Sequence, residues 1–158
     1  MYDSSQDFLG ALRATPTTLA ALLRGYTEEQ ARAARGGDEG WSVVEVLCHL
    51  RDAEEEALAR MRAMRDQAAP FLAAYDQERW AEERHYAQAR LDDALAAFLD
   101  LRARHAAELA QLAPEQWKRT GQHEEQGQIT ISDHTLHIVS HDAIHLAQIA
   151  RQLQGMER

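Results

Sequence analysis

The chain has 158 residues, 45% of them hydrophobic and 27% charged, which is a globular balance rather than a disordered one. Seventeen basic against twenty-six acidic residues leave a net charge of −9, so no basic stripe for displacing counterions exists and nucleic acid is excluded as a partner. No apolar run reaches the roughly 18 residues of a membrane span, and the single Cys48 excludes an internal disulfide framework.

The first residues lack the basic start and apolar stretch of a signal peptide. With one cysteine, this points to a reducing, cytoplasmic setting. Three Pro, eight Gly, abundant Ala and few β-branched residues point to an all-α protein. The length suits a single domain over 1–158.

The first predicted helix covers 5–24, with Phe8, Leu9, Leu12, Leu19, Leu22 and Leu23 as its apolar stripe. Thr15-Pro16 lies inside it and predicts a kink or restart. The second starts at Trp41-Ser42, where Ser42 and Glu45 form a capping box, and runs to 66. The third covers 87–111, around Leu91, Leu95, Phe98 and Leu109. The fourth runs from Thr130, paired with Asp133 as a second capping signature, to 155. Four helices of roughly 20 residues predict a four-helix bundle. The intervals 67–86 and 112–129 are long for bundle connections. Short helices and long crossovers are expected there.

Eight histidines stand at 49, 85, 105, 123, 134, 137, 141 and 145. On the fourth helix His137, His141 and His145 repeat every four residues. Adjacent members share a face and can hold one ion, whereas His137 and His145 are separated by a rise of about 12 Å. A helical wheel turns His141 and His145 toward the apolar side and leaves His137 outermost, as a solvent or supporting residue. Any further ligand must come from another helix. His49 lies at the margin of the second helix's core face, beside Glu45, Asp52 and Glu56, which suits either a ligand or an ordinary exposed side chain. Glu54 and Asp142 project into core faces and need partners, either an inward Arg or, for Asp142, a metal-bound imidazole. No HExxH, CxxC, GxGxxG or paired ExxH signature is present on these helices. Cys48 precedes His49 on a helix, points elsewhere and reads as an inert buried thiol.

Trp41-Ser42, Glu45 and His49-Leu50-x-Asp52-x-Glu54, followed by His141-Asp142-Ala143-Ile144-His145-Leu146-Ala147-Gln148-Ile149, resemble the two motif blocks of the DinB/YfiT-like superfamily. The Thr15-Pro16 entry and the lead-in from Gly127 to Thr130 are similar too. Many members carry a further His and an Arg-Gly after the last ligand, where this chain has Leu146-Ala147-Gln148. The resemblance implies a four-helix bundle of unusual connectivity, often a homodimer. It also implies one divalent ion (zinc, nickel, iron or manganese) on His49, His141 and His145, with Asp142 as a supporting residue. The expected function is a metal-dependent enzyme, either a transferase using a low-molecular-weight thiol or a hydrolase acting on a small molecule. Asp52, Glu45 and Glu56 are the acid/base candidates. The alternatives are a non-catalytic metal-binding or stress-response module, and a purely structural helical dimer.

Overall fold

The computed structural model describes residues 4–156. The first three residues of the N-terminal reading and the extreme ends of the 1–158 domain assignment lie outside them. Four long helices form the bundle: α1 (Ser5–Leu23), α3 (Val43–Asp66), α5 (Leu91–Ala110) and α6 (Ile131–Gln154). Two short ones, α2 (Glu28–Ala33) and α4 (Gln77–Glu83), sit in the connections. Both capping boxes exist: Ser42 with Glu45 opens α3, and Thr130 with Asp133 opens α6. Each satisfies two of the N–H groups a helix start leaves unpaired.

The predicted third helix is shorter than expected. A 3-10 turn at Tyr86–Gln88 precedes α5, and Ala89 is extended. The helix does not restart at Thr15-Pro16, because α1 runs through it. Pro16 has no N–H to give the Leu12 carbonyl. Arg102 Nη1, from α5, supplies that donor at 3.1 Å.

Within the bundle α1 packs against α5 and α6, and α3 packs against α5 and α6. Sequential long helices are therefore mostly diagonal, not adjacent. The exception, α3 to α5, joins neighbours whose apolar residues run through the two core clusters in the same order, so the chain must cross back over the bundle. This is the crossover topology that the long intervals predict. The connections also contain strands that the sequence does not reveal. β1 (Arg35–Gly36) pairs with β2 (Trp41–Ser42). β3 (Phe71–Leu72) runs parallel to β4 (Thr120–His123), which pairs antiparallel with β5 (Gly127–Thr130). The two long connections thus meet in one small sheet. Gly127 supplies the φ of +76° that the β4–β5 turn needs. Among the described residues, no helix is long and apolar enough to cross a membrane.

The core is split. One apolar cluster holds Leu19, Val43, Leu47, Phe98 and Ile149, and the other holds Leu12, Met61, Leu109, Ile131 and Ile138. Between them lies a buried polar layer with a contribution from every long helix: Thr15, Glu54, Arg102, His105 and Asp142. Arg102 is 1% exposed. Its Nη1 reaches Asp142 Oδ2 at 2.6 Å, and its Nη2 reaches Asp142 Oδ1 at 3.0 Å and Glu54 Oε2 at 2.8 Å. Thr15 Oγ1 donates to Asp142 Oδ2 at 2.7 Å, and His105 Nδ1 lies 2.8 Å from Glu54 Oε1. Burial would raise the Glu54 carboxyl, but His105 and Arg102 more than offset it and hold it well below the usual carboxylate range.

Candidate metal centre

His49 comes from the second turn of α3, and His141 and His145 come from successive turns of α6. Because α3 and α6 pack directly together, the three rings converge just beside the polar layer. Ring centroids are 4.9 Å apart for His49 and His141, 4.7 Å for His49 and His145, and 4.4 Å for His141 and His145. One ligand atom from each lies within 4.8 Å of the other two. His49 Nε2 and His141 Nε2 are 2.9 Å apart. Two imidazole nitrogens each about 2.0–2.1 Å from one ion stand roughly 2.9–3.4 Å apart over common coordination angles. The donor set therefore fits a divalent ion.

The protonation chemistry fits too. Burial, and then the neighbouring His145, hold His49 down to about 4. Burial, and then His145 and His49, hold His141 down to about 2. Burial also lowers His145, against a hydrogen bond with Gln148 that raises it. All three rings are neutral at pH 7, which a metal ligand must be. His145 Nδ1 stands 2.8 Å from Gln148 Oε1. An amide oxygen can only accept, so the His145 proton sits on Nδ1 and the Nε2 lone pair is free.

Gln148 appears in the sequence only as part of the C-terminal motif block, with no role of its own. It lies one turn beyond His145, in reach by helical spacing alone. A Cβ on Gly37, in the β1–β2 turn, would stand 2.6 Å from Gln148 Nε2. The glycine leaves room for the amide that orients His145.

The remaining sequence candidates are held by other partners. His49 is 1% exposed, not marginal, because α6 covers it. Among the described residues no carboxylate oxygen joins the three-imidazole group. Glu45 caps α3 through the Ser42 N–H and pairs with Arg35. Asp52 is buried, accepting from the Tyr86 hydroxyl at 2.7 Å and from Arg51 Nε at 2.7 Å. Glu56 pairs with Arg60 at 3.0 Å. Asp142 is taken up by Arg102 and Thr15 rather than by an imidazole, and Glu54 pairs with the inward Arg102 as the simpler expectation has it. His137 is exposed, its ring centroid 6.2 Å from that of His141. Burial pushes the Cys48 thiol up to about 11, which keeps it protonated and inert.

The sequence matches the DinB superfamily over residues 11–149. The chain belongs to that superfamily. The Bacillus subtilis member YfiT, named "Putative metal-dependent hydrolase", is 25% identical over 98% of this chain and 86% of its own length. A similarly named relative from Oceanobacillus iheyensis is 31% identical over 70% of this chain, but the match spans under two thirds of that relative, 63%. The solved YfiT structure, described as having "an unusual four-helix bundle topology", superposes with a TM-score of 0.88 over 97% of this chain and 87% of its own. Like YfiT, this DinB superfamily chain is a four-helix bundle, and its own connections cross over the bundle in place of simple hairpins.

Proposed function

We propose that this DinB superfamily chain is a metal-dependent enzyme. In this reading His49, His141 and His145 hold one divalent ion beside a cavity for a small-molecule substrate. The observation that carries it is the convergence of three neutral imidazoles, one fixed in its ligating tautomer by Gln148. When bound, an ion on three imidazoles keeps coordination positions open and supplies a Lewis acid near neutral pH. His141 borders both the triad and a cavity of about 310 Å³. His137 lines the same cavity next to His141 and is placed to accept a proton there.

Hydrolysis is the reaction we assign, in keeping with the names of the relatives. Thiol transfer to an electrophile is the second reading. It is favoured by a ligand group made of imidazoles alone, with no carboxylate oxygen within it among the described residues, since a thiol ionises with far less help than water.

Elemental analysis of gel-filtered protein, with turnover assays on the same samples, tests the proposal. About one ion per chain is expected in the wild type and none in His145→Ala. Ester and amide cleavage without added thiol would favour hydrolysis, and product formed only with cysteine or glutathione would favour transfer. No metal after reconstitution with zinc, nickel and manganese would refute the proposal.

A further inference from the structure

The cavity beside the triad has a second wall that the reading above leaves unused. Arg60, Tyr75 and His123 belong to it, and His141 lines the same cavity. Arg60 is a buried cation, 8% exposed. Arg102 is matched by two buried carboxylates, but Arg60 has one carboxylate partner, Glu56, whose side chain is 32% exposed. The guanidinium is firmly held. Its Nε donates to Glu56 Oε1 at 3.0 Å and its Nη2 donates to the Ala73 carbonyl. Its Cζ lies 5.5 Å from the centroid of the Tyr75 ring, which stacks on Trp80 at 4.1 Å and 4°. Glu125, the acid lining this cavity, is exposed at its rim.

His123 gives a second, independent observation. It ends β4 and is buried. Its Nδ1 receives two backbone N–H groups, from Glu125 at 3.2 Å and Gln126 at 3.3 Å. A backbone N–H cannot accept, so the proton of the neutral ring belongs on Nε2. That Nε2–H then faces Arg60 Nη1, another donor, at 3.3 Å. Among the described residues no acceptor pairs with these two donors, and at a cavity wall they are satisfied by an acceptor that a ligand brings.

We propose that Arg60 and His123 form an oxyanion subsite that holds the carboxylate or phosphate group of the substrate while its reacting centre lies toward His141. The substrate is then a small anion. A cavity of about 310 Å³ lies at the small end of ligand pockets. The two long connections build this wall together, since β3 pairs with β4 and Leu72 stands opposite His123. The assignment of a reacting centre rests on the metal-dependent reading; anion binding by Arg60 and His123 does not.

The test is an NMR titration of the full chain, first stripped of metal with EDTA, so that an ion cannot itself capture the anion. Succinate and inorganic phosphate are the probes, and neutral succinamide is the control. Succinate, phosphate or both should shift the Arg60 Nε–H and His123 ring signals, and the tighter of the two identifies the group. Arg60→Met should weaken that binding roughly ten- to a hundredfold. An equal response to succinamide, a response confined to other residues, or unchanged affinity in Arg60→Met would overturn the subsite. The wild-type shifts decide the matter even if the variant does not fold. Zinc titration of the same sample separates the two claims. Anion binding without zinc binding removes the metal reading and keeps the subsite, whereas zinc binding with no anion response does the reverse.

Discussion

Replacing Arg102 by Met removes the cation from the middle of the bundle. Three contacts to carboxylate oxygens go, at 2.6, 2.8 and 3.0 Å, with the 3.1 Å contact to the Leu12 carbonyl that Pro16 leaves without a helical donor. Charge-assisted hydrogen bonds contribute about 1.5–3 kcal/mol each. Against that gross loss stands relief from burying the guanidinium itself. The remainder is governed by Glu54 and Asp142, left buried without their cation, and amounts to about 3–5 kcal/mol. For a chain of this size that lowers Tm by roughly 6–20 °C.

Urea denaturation at pH 7, followed by circular dichroism, measures it. The pH dependence gives an independent check. Glu54 titrates below its ordinary 4.5 in the folded wild type, so its stabilisation is complete above that pH and fades as pH falls through the lowered folded value. Without Arg102 that depression shrinks, so acid costs the variant less and the gap between the proteins narrows below pH 4.5. Adding Glu54→Gln and Asp142→Asn should restore much of the lost stability, because the uncompensated charges go. A loss at pH 7 below about 1 kcal/mol, typical of an ordinary substitution, would show that the layer does not hold these charges as described.

Gln148→Leu should reduce metal affinity roughly 10- to 100-fold by freeing the His145 tautomer; competition with a chromogenic chelator reads it, and unchanged affinity would deny Gln148 that role. Gly37→Ala combines a left-handed φ of +76° with a Cβ 2.6 Å from Gln148 Nε2. It should cost about 1–3 kcal/mol in thermal stability and weaken metal binding in the same direction as Gln148→Leu. Ser42→Ala removes the cap of α3 and should cost about 1 kcal/mol by urea titration. Cys48 should resist Ellman's reagent in the native protein and react as one thiol per chain in guanidinium; rapid native labelling would contradict its burial.

Helix starts were legible in the sequence because capping is local. Ser42 with Glu45, and Thr130 with Asp133, need only a spacing of three. The inward pair His141 and His145 was legible from helical period for the same reason. Local reasoning failed where a distant group changed the outcome. Pro16 reads as a kink or restart, but the helix does not restart, and Arg102 serves the carbonyl it strands, from 90 positions away. β3 and β4 are too short to announce themselves, and their pairing joins segments about 50 residues apart. Asp52, Glu45 and Glu56 read as acid/base candidates on one helix margin; a single helix does not show that Tyr86 and Arg35, from other elements, bond Asp52 and Glu45, although the Glu56–Arg60 pair is a spacing of four within α3. His49 reads as marginal because a wheel of one helix cannot show that another covers it.

The polar layer also acts as a ruler. Apolar helix faces tolerate sliding, since one leucine replaces another a turn away. Here a slide of one turn, about 5.4 Å, would part Arg102 from Glu54, Asp142 and the Leu12 carbonyl together. Alignment along the bundle axis is thus fixed from within, and with it the height of His49 opposite His141. The connections are released from that task. They are free to change length and composition, and so to reshape the wall that carries Arg60's neighbours Tyr75 and His123, while the three imidazoles keep their places. Under the proposed function, a scaffold of this kind could exchange one substrate for another without disturbing the three imidazoles.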